Sequence, residues 1–253
     1  MKHVWQVLVI AAVLLALPQI VLAAPAGTPL VPSIDLKIGG GAGTPQETSS
    51  AIQLLLILTV LSVAPAILLL MTSFTRIVIV LSFVRNALAT QQMPPNQVLI
   101  ALALFMTFFI MAPTLGKVNE TAVQPFMQGK LTQQQAFDTA VVPFKEFMAK
   151  QTREKDLALF MEYTKIERPK TIQDIPLSAL VPAYAISELK TAFQIGFMIF
   201  IPFLVIDMVI SSILMGMGMM MLPPVMISLP FKILLFIMVD GWYLVVKSLL
   251  ISF

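Results

Sequence analysis

Apolar and polar positions fall in long blocks along this chain, with little of the strict alternation that marks strands. Four charge-poor apolar segments stand out: Ala51–Met71, Val98–Met111, Ala192–Leu214 and Val225–Phe253. The first is long enough to cross a bilayer as a helix of ~20 residues, with Pro65 expected to kink it. The second is marginal, because Pro113 and Gly116 follow it closely. Thr72–Pro95 links the first two as an amphipathic connector that carries Arg76 and Arg85 and no acidic residue.

Between Lys117 and Lys190 the pattern changes. Ten Lys or Arg and nine Asp or Glu leave +1 over this stretch, the composition of a solvated domain. Thr132 is a good N-cap for a helix in which Phe137, Val141, Phe144, Phe147 and Met148 recur at three- and four-residue spacing. A second helix, over REKDLALFMEYTKIERPK, is expected to stop at Pro169. The fold class is therefore an all-α integral membrane protein: helical hairpins with an inserted helical extracytoplasmic domain. The expected divisions are a first apolar hairpin at 51–116, the charged domain at 117–190 and a second apolar hairpin at 191–253.

The N-terminus has its own pattern. Lys2 and His3 precede the apolar run Val7–Leu17, then Pro18 and the small-residue stretch around Ala23 and Ala24. That order is a secretory signal peptide over 1–24, followed by a Gly-, Pro-, Ser- and Thr-rich exported linker over 25–50. Basic residues mark cytoplasmic loops, so Arg76 and Arg85 place the connector inside and the charged domain outside.

Composition narrows the chemistry. The chain is 58% hydrophobic, well above a soluble domain, and its net charge of +3 is too small and too dispersed for a nucleic-acid surface. It has no cysteine, and its one histidine, His3, lies in the expected signal peptide. Thiol, histidine-triad and Cys/His metal chemistry are thereby excluded, phosphate-binding glycine motifs are absent, and no cofactor is expected. An intramembrane aspartyl protease would have only Asp207 and Asp240 to work with. Those carboxylates need partners in apolar surroundings. Salt bridges between helices or between subunits that fix packing are the expected role, the spacing also allows Lys232, Asp240 and Lys247 to share one helix face as an ion-pair ladder, and a proton or ion relay is the alternative. Glu188 and Lys190 are candidates for contacts between subunits, and Arg76 and Arg85 for contact with cytoplasmic partners or lipid headgroups.

One stretch carries more information than its neighbours. MGMGMMMLPP, Met215–Pro224, sits between the third and fourth apolar segments and reads as the tip of a helical hairpin. Glycine lets the backbone turn, proline ends regular helix, and methionine supplies an apolar surface that re-packs around changing shapes. A patch of ordinary hydrophobic packing has the same composition.

Three segments closely resemble the FliP export-gate family, shared by flagellar and virulence-type secretion systems. They are Pro65–Pro113, Val181–Pro224 with its specific PAYAISELKTAFQIGF, and Ile227–Val246. The resemblance implies a pentamer-like homo-oligomer that assembles with FliQ and FliR, beside other membrane proteins of the export apparatus, into a conical pore in the basal body of the bacterial inner membrane. Unfolded flagellar polypeptides would pass through it, and apolar helices would form hairpins lying partly above the bilayer plane. It also implies a cleaved signal peptide, no enzymatic activity and a gasket made by Met219, Met220 and Met221. Composition extends that set to Met215 and Met217. Two other functions stay open beside it: an ion or small-solute transporter using Asp207 and Asp240, and an assembly scaffold nucleated by the charged domain.

Overall fold

The computed structural model describes residues 55, 57–59, 61–63, 66, 69–90, 92–164, 169, 171–219 and 221–253. The expected signal peptide and linker, the Pro65 kink and Met220 lie outside the described residues. The chain divides into two units, Met1–Leu55 and Leu56–Phe253, and the second carries everything below. Its elements are α1 (Phe74–Ala87), α2 (Asn96–Val118), a π-helical turn (Asn119–Val123) running into α3 (Gln124–Met127), α4 (Gln133–Gln151), α5 (Glu154–Tyr163), a 3₁₀ turn (Ile172–Asp174), α6 (Leu177–Gly216), α7 (Pro224–Met238) and α8 (Gly241–Ile251). No strand occurs among the described residues.

This is an all-α membrane protein. Two helical stretches, Asn96–Met127 and Leu177–Gly216, are long and apolar enough to cross a bilayer, whereas α7 and α8 qualify only together and are bent by 63° at their junction. The 40 residues of α6 extend about 60 Å at 1.5 Å per residue, twice the ~30 Å hydrocarbon thickness. Only 11% of its apolar window is buried within the chain, so most of that surface needs cover from lipid or other chains.

The most buried helix is the one expected to be a connector. Ile77, Val80, Leu81, Val84 and Ala87 of α1 recur at three- and four-residue spacing and form the centre of the core. Around them pack Leu99, Ala103 and Met106 of α2, Ala192 and Phe203 of α6, Phe236 of α7, and Val245 and Leu249 of α8. A smaller core joins the charged stretch to the start of α6, with Met148, Ile175, Leu180 and Tyr184 at its centre.

Prolines stand at the N-caps of α2, α6 and α7 as Pro95, Pro176 and Pro223, and side-chain capping starts α4. The expected N-cap Thr132 starts α4 with a capping box: its hydroxyl accepts from the Gln135 N–H at 3.3 Å, and its own N–H donates to Gln135 Oε1 at 3.0 Å. Helix α5 ends at Tyr163, short of Pro169. By contrast α2 continues past Pro113, and α6 continues past Pro182 and Pro202. Each proline removes one backbone hydrogen bond, a loss that packing in long apolar helices tolerates. As a result α6 runs through residue 190, where a boundary between charged domain and second hairpin was expected.

Close approach of α1 and α6 depends on Gly196. A Cβ there would come within 2.5 Å of Cγ of the Phe83 ring, which packs edge-on against Phe193 at 5.3 Å between centroids. Gly196→Ala is expected to lower stability by about 1–3 kcal/mol through overpacking. Shortening Phe83 to leucine in the same chain should recover much of the loss, as read by thermal melts in detergent.

Candidate functional site

The methionine tip is built by the end of α6. Gly218 adopts φ +74°, the left-handed conformation that glycine takes without steric cost. The Gly218 N–H donates to the Met215 carbonyl at 3.0 Å, and the Met219 N–H reaches back to the Leu214 carbonyl at 2.9 Å. This pair of bonds is a Schellman ending, which stops the helix and reverses the chain. Pro223 then caps α7 and Pro224 occupies its first turn, where a missing N–H costs nothing. Met215, Met217, Met219 and Met221 all point outward, and Met221 is 98% exposed. Together these four methionines leave a contiguous stretch of apolar side chains uncovered at the tip.

Below the tip the two arms of the hairpin are pinned. Lys232 of α7 is 2% exposed, and its ammonium donates to Asp207 Oδ2 of α6 at 2.6 Å. Buried Ser228, one turn nearer the tip on α7, donates its hydroxyl to the other Asp207 oxygen. This pairing replaces the expected ladder through Lys232, Asp240 and Lys247. The helix breaks at Asp240, which has φ 51° and precedes α8, so the spacing argument loses its common face. Lys247 instead lies 5.7 Å from the Tyr243 ring centroid. Gly241 is required at the break, because a Cβ would come within 2.3 Å of the Phe236 ring.

A second buried charge gathers four parts of the chain. Arg76 of α1 is 1% exposed and forms a two-point ion pair with Glu188 of α6, its Nε donating to Oε2 at 2.8 Å and its Nη2 to Oε1. Its Nη1 donates to the Ser252 carbonyl at 2.6 Å and hydroxyl at 3.1 Å, and Nη2 donates to Gln151 Oε1 of α4 at 3.0 Å. The guanidinium also lies 3.9 Å from the Phe253 ring centroid. Gln151, Ser252 and Phe253 carry no sequence signal for this role.

Arg76 therefore faces neither cytoplasm nor lipid within this unit, and Glu188 spends its charge inside one chain. The other two residues of those pairs lie elsewhere. Arg85 donates to Asn96 Oδ1 at 2.5 Å and so ties the end of α1 to the start of α2. Lys190 is exposed on α6.

The charged stretch has its own buried carboxylate. Asp156 of α5 accepts from the Ser187 hydroxyl at 2.7 Å and pairs with Arg153 at 2.5 Å. Burial alone would raise its pKa, but the Ser187 and Arg153 hydrogen bonds and nearby positive charge outweigh it, and the carboxyl is held below its ordinary value.

An exposed apolar hairpin, a methionine-rich tip and buried ionic pins define a helical membrane protein. Residues 57–249 match the FliP family, and the chain belongs to it. Among its relatives is a protein named flagellar biosynthetic protein FliP from Bacillus subtilis (strain 168), 70% identical over 83% of this chain and 95% of that one. Proteins of the same name from Pectobacterium carotovorum subsp. carotovorum and Aquifex aeolicus (strain VF5) are 50% and 48% identical, each over 88% of this chain, covering 89% and 92% of their own lengths.

Glu188→Ala is expected to cost about 3–5 kcal/mol, because it leaves the Arg76 guanidinium buried without a counter-charge. The double change Arg76→Met with Glu188→Met should cost much less than the single one in chemical unfolding. At acid pH, Asp156 contributes stability that is full above its unfolded pKa of ~3.9 and is lost as pH falls through its lower folded value. Asp156→Asn should flatten that acid limb of the stability profile.

Proposed function

We propose that this flagellar biosynthesis protein, a membrane component of type III export, is a non-enzymatic core subunit of a pore for unfolded flagellar polypeptides. Further copies of the chain, pentamer-like in number, together with FliQ and FliR, would cover the apolar faces of α2 and α6. The carrying observation is the methionine tip: an outward-facing apolar loop, held by a Schellman turn and a proline pair, on two arms locked by Lys232 and Asp207. Met219, Met220 and Met221 form the gasket, with Met215 and Met217 at its margin.

The physical logic lies in the side chain. A ring of unbranched thioethers closes an aqueous path by steric filling and dewetting, and it parts around a polypeptide of any sequence. A ring of leucines would close more stiffly. The complex sits in the bacterial inner membrane at the flagellar basal body, the signal peptide is removed, and the 117–190 stretch lies on the periplasmic side. Helix α6 starts within that stretch and runs on to Gly216, so the methionine tip at its far end lies toward the cytoplasm.

Shortening Met219, Met220 and Met221 together to alanine is expected to raise small-ion conductance of the assembled gate severalfold while native gels show the same oligomer. Unchanged conductance would end the gasket assignment. A transporter working through Asp207 would move solute as the purified chain alone, and a scaffold would show no conductance response to tip substitutions in any assembly.

A further inference from the structure

We infer that α8 carries a contact between copies of the chain, in which Asp240 of one copy pairs with Lys247 of the next. Such a contact presupposes the multi-copy assembly of the proposed function. Residues 192–253 contain four charges: Asp207, Lys232, Asp240 and Lys247. The first two neutralise each other between the hairpin arms. The other two are left as one carboxylate and one ammonium, both exposed, and neither has an oppositely charged partner among the described residues. Around them Met238, Val239, Tyr243, Leu244 and Ile251 are exposed as well, so the two charges stand on an apolar surface. A lone charge in that setting costs free energy until it meets a counter-charge or water.

Within one chain the two charges stay apart. Seven residues separate them by about 10 Å along the axis of α8, and the Lys247 ammonium lies beside Tyr243 instead. Between copies the break at Asp240 favours their pairing. Because α8 turns 63° away from α7, that separation amounts to only about 5 Å along the direction of α7, a step that a flexible lysine stem covers. Copies standing side by side with α7 parallel therefore hold Asp240 and Lys247 at similar heights. An unrelated protein would have to supply a cation and a carboxylate at matching positions, whereas a second copy brings both. The contact is heterologous, since each copy gives its carboxylate to one neighbour and its ammonium to the other, and contacts of that kind generate rings when the rotation closes. Around such a ring these charges sum to zero.

The test co-expresses the full chain with the neighbouring export proteins and reads assembly on native gels. Asp240→Asn suits the left-handed backbone at φ 51°, and Lys247→Gln removes the other charge from an exposed position. Each single change strands the opposite charge and should lower the assembled fraction severalfold, whereas the double change removes both charges and should recover most of it. A double variant no better assembled than the worse single one would overturn the pairing. Its place between chains is read from two differently tagged chains, one carrying Val239→Cys and the other Ser248→Cys, which keep both charges in an otherwise cysteine-free protein. A short thiol-specific bifunctional crosslinker should join the two tags in membranes. An assembled complex in which the tags are never joined would overturn the contact and leave the assembly standing. Unsubstituted chains that form no oligomer would overturn both.

Discussion

Arg76 imposes the constraint that the rest of the unit satisfies. A guanidinium with almost no solvent must have its charge balanced and its donors occupied, or it costs several kcal/mol. Here one carboxylate, one amide side chain, a backbone carbonyl, a hydroxyl and an aromatic face meet that demand from α4, α6 and the C-terminal segment. Elements distant in sequence are thus tied to α1, the same helix whose opposite turns carry the apolar core. Glu188 holds a fixed place on α6 for the same reason. From there the long helix runs about 40 Å to the methionine tip at 1.5 Å per residue, so an anchor at one end sets the direction of the other.

The two ends of that helix differ in stiffness. At the anchored end, polar groups are buried and paired. Toward the tip, apolar side chains are uncovered, and Asp207 with Lys232 and Ser228 makes the last polar fastening between the arms among the described residues. Beyond it, the chain relies on backbone bonds, a left-handed glycine and two prolines for its path. Rigid arms with a deformable end suit a seal that must hold its place while its surface rearranges. The same exposed apolar area on α6 needs cover from lipid or other chains, in keeping with membership in a family of flagellar biosynthetic proteins.

Much of this was legible in the residues because it rests on local chemistry. Thr132 marks the N-cap of α4, and Met215–Pro224 gives a turn whose glycine and prolines fall at the positions the backbone requires. Pairing across the fold was not legible. Arg76 looked like a connector residue because nothing local distinguishes an arginine facing water from one facing Glu188, 112 positions away. The same limit produced the ladder through Asp240, where sequence spacing presumes an unbroken helix and Gly241 permits a break. Pro113 misled in the other direction: it weakens α2 by one hydrogen bond, and tertiary packing in an apolar setting outweighs that loss.

The central claim is that methionine tips from several copies meet around a common axis. The chain has no cysteine, so a single Met221→Cys substitution gives an unambiguous reporter. Oxidative crosslinking in membranes, with the neighbouring export proteins co-expressed, measures whether tips from different copies lie within disulfide reach. The account predicts disulfide-linked dimers of the chain at high yield, lost when assembly is prevented. An intact assembled complex on native gels with only uncrosslinked chains would contradict it.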